Sequence, residues 1–368
     1  MKVTKFVTIV GARPQFIKAS VISRETQSNP EEFDEILVHT GQHFDDKMSA
    51  DFFKELELNS PKYNLGHSGL SHGEMTGRMI ESIEQVLIIE KPKFVLVYGD
   101  TNSTLAGALA ATKLFIPVFH VEAGLRSHNF YMPEEINRVL TDNVSSVLFC
   151  PTHESIKNLH AEGMPHNCVY LKEQVIAHCG DVMLDSKIFF SEHKSFGFDQ
   201  ISNHKPLLLC TIHRQENITK SKILKEILQA LIKLKSNFFI IFPIHPATMK
   251  AIKKFKFENY LNKLNFCEPL SYFEIQNILS NAKHVITDSG GVQKEAYFHG
   301  VTCSTIRYET EWSQTLKNKN NILVEPIVDE IVNSCKDRLF LRKDDDLLEF
   351  GQGKSGKFIL DCIRDCFV

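Results

Sequence analysis

Short runs rich in Val, Ile, Leu and Phe recur along the chain, separated by longer stretches whose apolar residues follow a helical period. In the first half these runs are KFVTIVG, EILVHTG, KFVLVYGD, PVFHVEAG and SVLFCPT; LLLCTIH, NFFIIFPIH, HVITDSGG and NILVEP follow in the second. Near-continuous apolar runs suit strands buried on both faces, and their alternation with helices predicts parallel sheets. The expected fold class is α/β, with two doubly wound, Rossmann-like domains facing a cleft. The first is expected over residues 1–180 and the second over 181–350. The polar, weakly periodic stretch GDVMLDSKIFFSEHKSFGFDQISNHKP (residues 180–206) reads as the crossing between them.

In open α/β sheets, ligands bind beyond the carboxyl ends of the strands. Here those ends carry Gly11, Gln42, Asp100, Glu122, His213, His245 and Asp288, more polar residues than solubility alone requires. Burying Asp100 and Glu122 at successive strand exits costs several kcal/mol unless each charge is paired or neutralised. GARPQFIK (residues 11–18) places Arg13 and Lys18 beside the free N–H groups of a helix start, which favours an anion; solvated surface charge is the competing reading. HVEAGLRSHNFYMPEEINRVLTD (residues 120–142) packs Glu122, Arg126, Glu134, Glu135 and Arg138 into one strand exit, loop and helix start. The helix dipole explains one such acid, but a crowded set of carboxylates beside arginines is how one site obtains both an acid and a base near neutral pH. TDSGGVQKEA (residues 287–296) delivers Asp288 and then opens a helix at Ser289, Gly290 and Gly291. That is a good diphosphate cradle, with Glu295 a turn further in to meet ribose hydroxyls.

Composition narrows the classes. The 368 residues suffice for about two domains of roughly 100 to 200 residues each. With 43% hydrophobic and 24% charged residues and a net charge of -3, nothing points to disorder or to nucleic-acid binding. FVTIV near the start is followed by an arginine rather than a small-residue cleavage site, so it reads as a first strand. No apolar run approaches the roughly 18 residues of a membrane helix. Nine scattered cysteines without a CxxC pair fit reduced thiols in the cytoplasm. GQGKSGK (residues 351–357) has phosphate-loop spacing, but Phe358 stands where Ser or Thr should hold magnesium, and Ser355 reads instead as the cap of the helix that follows. HVE lacks the PCxxC partner of a zinc deaminase, so no metal or cofactor is expected.

GARPQFIK, TGQHFD, YGDTNSTLAG, HVEAGLR, PEEINR, TIHRQEN, PIHP, TDSGGVQKEA and RYETEW occur in this order. In this the sequence resembles bacterial UDP-N-acetylglucosamine 2-epimerases along nearly its whole length. The resemblance implies a glycosyltransferase-B-like architecture with a closing helix (residues 351–368) that returns to the first domain. It further implies a UDP-sugar substrate, a cytoplasmic homodimer without nucleic-acid or membrane partners, and a place in making surface-polysaccharide precursors. The implied chemistry eliminates UDP to a 2-acetamidoglucal and re-adds it with a proton on the other face of C2. Carried over by motif, Asp100, Glu122 and Glu134 are acid/base candidates, and His213 with Arg13 and Lys18 holds or protonates the diphosphate. Ser289, Gly290, Gly291 and Glu295 bind UDP, and Gln42, Arg138, His245 and Arg307 complete the substrate-binding set.

Two departures from the family pattern widen the reading. After Gln42 come His43, Phe44 and Asp45, where many members carry a second Gln or Glu of an activating-sugar site. Thr310, Glu311 and Trp312 begin TEWSQ where TERPE is usual, which is closer to the UDP-2,3-diacetamido-2,3-dideoxyglucuronate 2-epimerase branch. A hydrolysing enzyme that releases N-acetylmannosamine is a further alternative. A UDP-sugar glycosyltransferase or a catalytically silent sensor would keep the cradle without needing the acid cluster. Ligand-driven closure is expected to hinge at residues 180–206 and 351–356.

Overall fold

The computed structural model describes residues 3–42, 50–168, 170–193, 205–336, 339–341 and 344–367. The loop residues His43, Phe44 and Asp45 lie outside this set, as do residues 194–204 of the expected crossing. The chain divides into two compact units, the first comprising residues 1–189 and 345–368 and the second residues 190–344.

Unit one holds seven parallel strands: β1 (Thr4–Val10), β2 (Phe33–His39), β3 (Tyr63–Asn64), β4 (Val95–Tyr98), β5 (Val118–Val121), β6 (Val147–Cys150) and β7 (Val175–His178). Their order in the sheet is β3-β2-β1-β4-β5-β6-β7. The chain runs outward from β1 in one direction, then returns and runs outward in the other. The exits of β1 and β4 therefore flank the point where the strand order reverses, the position that α/β sheets use for ligands. The expected Rossmann-like pattern is present. One face of the sheet carries a run of rings, Phe6 on Phe94 at 4.8 Å and Phe94 on Phe119 at 4.5 Å between centroids. All three are buried, and full burial of each such side chain stabilises by about 1.5 to 3 kcal/mol. On the other face, the helix Asn102–Lys113 is rich in Ala and Gly, so its backbone comes close to the strands. A Cβ at Gly107 would lie 3.1 Å from Ile9 Cγ1 and 3.2 Å from Val97 Cγ1.

Unit two holds six parallel strands: β8 (Leu207–Thr211), β9 (Phe239–Pro243), β10 (Phe266–Cys267), β11 (His284–Thr287), β12 (Thr302–Thr305) and β13 (Asn321–Leu323). Their order is β10-β9-β8-β11-β12-β13, so the reversal falls between β8 and β11. Leu208, Cys210, Ile240 and Phe242 of the sheet pack with Leu224, Ile227, Leu228 and Leu231 from the helix Ser221–Leu234. Those helix positions repeat at three and four residues, as a core-facing stripe requires.

Three features differ from the sequence reading. β12 is a central strand made of TCST, which no apolar run announces. Its hydroxyls are satisfied across the sheet: Thr302 Oγ1 and Ser304 Oγ lie 2.7 and 2.9 Å from the ring nitrogens of His284, and Thr305 Oγ1 donates to Asn321 at 2.8 Å. Secondly, residues 182–193 of the expected polar crossing form a helix, Val182–His193, because Val182, Met183, Leu184 and Phe190 are buried. Thirdly, the expected hinge at residues 351–356 is pinned to the end of β7. Asp181 N donates to Phe350 O at 2.9 Å, and Gly356 N donates to Asp185 at 2.8 Å. A Cβ at Gly180 would meet Gly351 Cα at 2.5 Å, so the two glycines pass backbone against backbone, both with positive φ. Asp185, supplied by a different helix, serves the start of the closing helix Ser355–Phe367. Ser355 is that helix's first residue rather than the residue before it. The closing helix lies with unit one, where Arg364 Nε bonds Glu32 at 2.7 Å.

Candidate functional site

Around the β1 exit the backbone is crowded by design of the sequence. A Cβ at Gly11 would sit 2.0 Å from Ser103 Oγ and 2.2 Å from Thr40 Oγ1, so only glycine fits. Gln15, the residue after Pro14, is buried and holds the turn: its Oε1 accepts from Gly11 N at 2.8 Å and Ala12 N at 3.1 Å, and its Nε2 donates to Tyr98 O at 2.8 Å and Thr104 Oγ1 at 2.9 Å. That ties the start of the helix Arg13–Gln27 to the end of β4. Gln42 faces inward, its Oε1 accepting from Ser103 N at 3.0 Å and Ser103 Oγ at 2.7 Å. It satisfies the start of the helix Asn102–Lys113 as a cap does.

The acids at the next two exits are paired with cations. Lys18 Nζ forms an ion pair with Glu122 Oε2, and both side chains are nearly buried. Burial alone would lower the Lys18 pKa, but Glu122 beside it and then Asp100 outweigh burial and raise it. A Cβ at Gly99 would come within 3.2 Å of Lys18 Nζ, so the glycine at the β4 exit leaves room for the ammonium. Asp100 is paired with Arg138, and Asn137 Nδ2 donates to the Asp100 carbonyl at 2.9 Å. Glu122 itself has φ of 74°, a left-handed conformation that costs a non-glycine residue about 1 to 2 kcal/mol and clusters at functional positions. It is held there because Glu122 N and Ala123 N both donate to Phe149 O at 3.1 Å.

Of the neighbouring acids in the helix Pro133–Val144, the structure separates two roles. Glu134 is exposed in the first turn and takes no part in the cluster's ion pairs. Glu135 is fully buried and accepts from Ser127 N at 2.9 Å, His128 N at 2.8 Å and Arg138 Nη1 at 2.5 Å. Burial opposes its charge, yet the backbone donors and Arg138 bring its pKa below the usual range. Beneath lies Asp142, which bonds His120 Nδ1, Gly124 N and Arg126 Nη1 at 2.7, 3.1 and 2.7 Å. Arg126 then reaches Glu162 through Nε and Nη2, each at 2.7 Å. The pKa of Asp142 is lowered, burial being outweighed by His120 and Arg126. Sequence reasoning named Arg126, Glu135 and Arg138 in this stretch without a positioning role, and missed His120, Asp142 and Glu162. Their signal was present: Glu135, Arg138 and Asp142 repeat at helical spacing on a buried face, while Ile136 and Leu140 face out. A groove of about 590 Å³ nearby is lined by His72, Thr76, Asn102, Tyr131, Pro133 and Asn137, and by none of the acid candidates.

In unit two, Asp288 directly follows β11 and is fully buried. Its carboxylate accepts from His213 N at 3.0 Å, Arg214 N at 2.9 Å and Asn217 Nδ2 at 3.0 Å, shaping the TIHRQEN turn after β8. His213 and His245 meet with ring centroids 5.5 Å apart, and His245 Nδ1 accepts from Ala247 N at 3.2 Å at the start of the helix Pro246–Lys254. Ser289 caps the helix Gly290–His299 through Val292 N at 3.4 Å. Gly290 lies under Glu311: a Cβ there would be 2.2 Å from Glu311 Oε1, and Glu311 is itself held by Arg307 Nη1 at 2.8 Å. Gly291 has nothing within 3.9 Å of a built Cβ and is exposed, so it is the open glycine of the pair. Glu295 is buried one turn further along. The structure thus brings Lys18, Asp100, Glu122 and Arg138 together in unit one and His213, His245, Asp288 and Ser289 together in unit two.

Two Rossmann-like sheets, each with charged or backbone-open strand exits near its reversal point, define an α/β protein whose strand exits suit an anion. Residues 24–364 match the family model described as UDP-N-acetylglucosamine 2-epimerase, and the chain belongs to that family of isomerases. It is 44% identical over 358 residues to a Pseudomonas aeruginosa protein named UDP-2,3-diacetamido-2,3-dideoxy-D-glucuronate 2-epimerase, covering 97% of this chain and 98% of that one. It is 45% identical to a UDP-N-acetylglucosamine 2-epimerase homolog of Methanococcus maripaludis, over 98% of this chain and 99% of that one. The Methanocaldococcus jannaschii UDP-GlcNAc 2-epimerase, solved in complex with UDP-GlcNAc and UDP, superposes with a TM-score of 0.85 at 38% identity, covering 99% of each chain.

Proposed function

We propose that the chain epimerises UDP-N-acetylglucosamine at C2. A carboxylate takes the C2 proton, the electron pair forms the C1–C2 double bond, and the C1–O bond breaks with its pair going to UDP. UDP then returns to C1 as a proton is delivered to the opposite face of C2. Such a cycle needs one base, one acid and a cationic environment for the leaving phosphate. The observation that carries this reading is the pairing of Glu122 with Lys18 and of Asp100 with Arg138 at adjacent strand exits. Both carboxylates lie beside cationic groups that also suit an anion.

In this reading Asp100, Glu122 and the exposed Glu134 are the proton carriers. Arg13, Lys18 and His213 attend the diphosphate, and Ser289, Gly291 and Glu295 receive UDP. Gly290, Gln42, Arg138, His245 and Arg307 act chiefly by shaping the turns. No described helix is long and apolar enough to cross a membrane; a cytoplasmic homodimer supplying polysaccharide precursors belongs to the proposal by family resemblance.

A second reading, epimerisation of UDP-2,3-diacetamido-2,3-dideoxyglucuronate, is favoured by the 44% relative and by Trp312 of TEWSQ, whose buried ring lies 3.9 Å from Lys294 Nζ. One experiment separates the possibilities. The protein is incubated with each UDP-sugar in deuterated water and followed by NMR. Solvent deuterium at C2 of UDP-N-acetylglucosamine, with the manno epimer appearing, supports the first reading; exchange only in the diacetamido sugar supports the second. Release of free N-acetylmannosamine would identify a hydrolysing enzyme, and no C2 exchange in either sugar would overturn both.

A further inference from the structure

The last two strands of the first sheet carry a second cluster that the proposed chemistry does not use. His153 begins the helix His153–Ala161 just after β6, and His178 ends β7, where the register pairs it with Cys150. The returning chain adds Glu349, between β7 and the closing helix. His153 Nδ1 is 2.9 Å from Glu349 Oε2, and Glu349 Oε1 accepts from His153 N at 2.8 Å. The rings of His153 and His178 lie 4.0 Å apart between centroids. One donor atom from each of the three residues lies within 4.8 Å of the other two.

We propose that His153, His178 and Glu349 form a binding site for a borderline divalent cation, with zinc as its representative. Two imidazoles and one carboxylate suit zinc, cobalt or nickel rather than magnesium or calcium, which prefer oxygen alone. The surroundings are already those of a ligand set. His178 Nε2 is bonded to the Glu349 carbonyl at 2.9 Å; donation to a carbonyl fixes the tautomer and leaves Nδ1 with its lone pair for a metal. The cation takes the place of the proton between His153 Nδ1 and Glu349 Oε2, and that proton passes to the outward ring nitrogen or to solvent. Metal arms of about 2.0 to 2.2 Å bring tetrahedral donors to roughly 3.3 Å of one another. The 4.8 Å span closes by rotation of His153, whose side chain is 64% exposed. A fourth position is left to water. The bound cation fastens the exits of β6 and β7 to the returning segment, so its role is to staple unit one.

The competing explanation is a hydrogen-bonded tie that needs no metal, and zinc binding distinguishes the two. The full chain, stripped with EDTA, is titrated with Zn²⁺ by calorimetry and with Co²⁺ by visible absorption. One saturable cation per chain, a tetrahedral cobalt spectrum and a zinc-dependent rise in unfolding temperature are expected. His153→Ala and Glu349→Gln should each weaken zinc by about tenfold or more. His153→Ala removes an exposed side chain, and its far-ultraviolet circular dichroism should match the parent. Absence of saturable binding to the parent chain, or equal affinity in folded His153→Ala and Glu349→Gln, overturns the proposal.

Discussion

The two units use their strand exits in opposite ways. In unit one the acids at the exits of β4 and β5 are each matched by a side-chain cation: Asp100 by Arg138 and Glu122 by Lys18. In unit two the acid at the exit of β11, Asp288, is fully buried and receives backbone N–H groups from His213 and Arg214. An acid paired with a side-chain cation lies beside a group that can also meet a substrate anion. Asp288, bonded by backbone donors and with the His213 ring nitrogen 3.3 Å away, shapes a turn. On the proposed reaction, acids at strand exits serve chemistry in one sheet and architecture in the other.

The sharpest way to break this contrast is to neutralise each acid in turn. Asp100→Asn and Glu122→Gln should lower turnover by about 10² to 10⁴, the usual contribution of a general acid or base, while UDP still binds by calorimetry. Near-parental turnover in both would remove the chemical half of the comparison. Asp288→Ala should instead act on folding. Leaving its backbone donors unpaired in the interior should cost about 3 to 5 kcal/mol, read from urea unfolding of the full chain. A parental unfolding curve would mean that Asp288 is not a scaffold.

A fourth acid, the buried Asp185, sharpens the comparison because no cation among the described residues pairs with it. Asp185 has its pKa pushed up to about 6, by burial first and despite the bond from Gly356 N. Its folded value lies above the ordinary 3.8. Its contribution to stability is thus fully present below about pH 4 and is lost as pH rises through 6. Asp185→Asn should therefore be more stable than the parent at pH 8, by on the order of 2 to 3 kcal/mol, with the difference vanishing near pH 4. Denaturant titrations at the two pH values check the sign. The smallest expected effect concerns the cradle. Gly291→Ala should reduce UDP affinity about tenfold, near 1.4 kcal/mol, while leaving stability unchanged or slightly raised, since alanine suits a helix better than glycine. Gly290→Val is a poorer probe, because its side chain would strike Glu311 before any ligand.

The long apolar runs made both sheets legible, since β1, β2, β4 to β6, β8, β9, β11 and β13 all announce themselves by composition. β3 and β10 have two residues each and leave no periodic trace. β12 hides because its buried surface is made of hydroxyls that find partners only once neighbouring strands are in place. At the site, sequence marked the exits but could not divide labour among the acids found there. Glu134 and Glu135 are adjacent and chemically alike, and only the direction of the helix face separates an exposed carboxylate from one locked under Ser127. Glu311 over Gly290 is a contact between residues 21 positions apart whose geometry no local spacing encodes.

The backbone pinch of Gly180 against Gly351 has a consequence for the order of events at the ribosome. Unit two is inserted within unit one in chain order, so all of it is synthesised before the closing helix Ser355–Phe367 emerges. The earlier-born sheet therefore waits, its Gly180 surface and the groove for the closing helix bare, until that helix has been made. Domains generally mature in order of their appearance during synthesis; here the first to begin is the last to be finished.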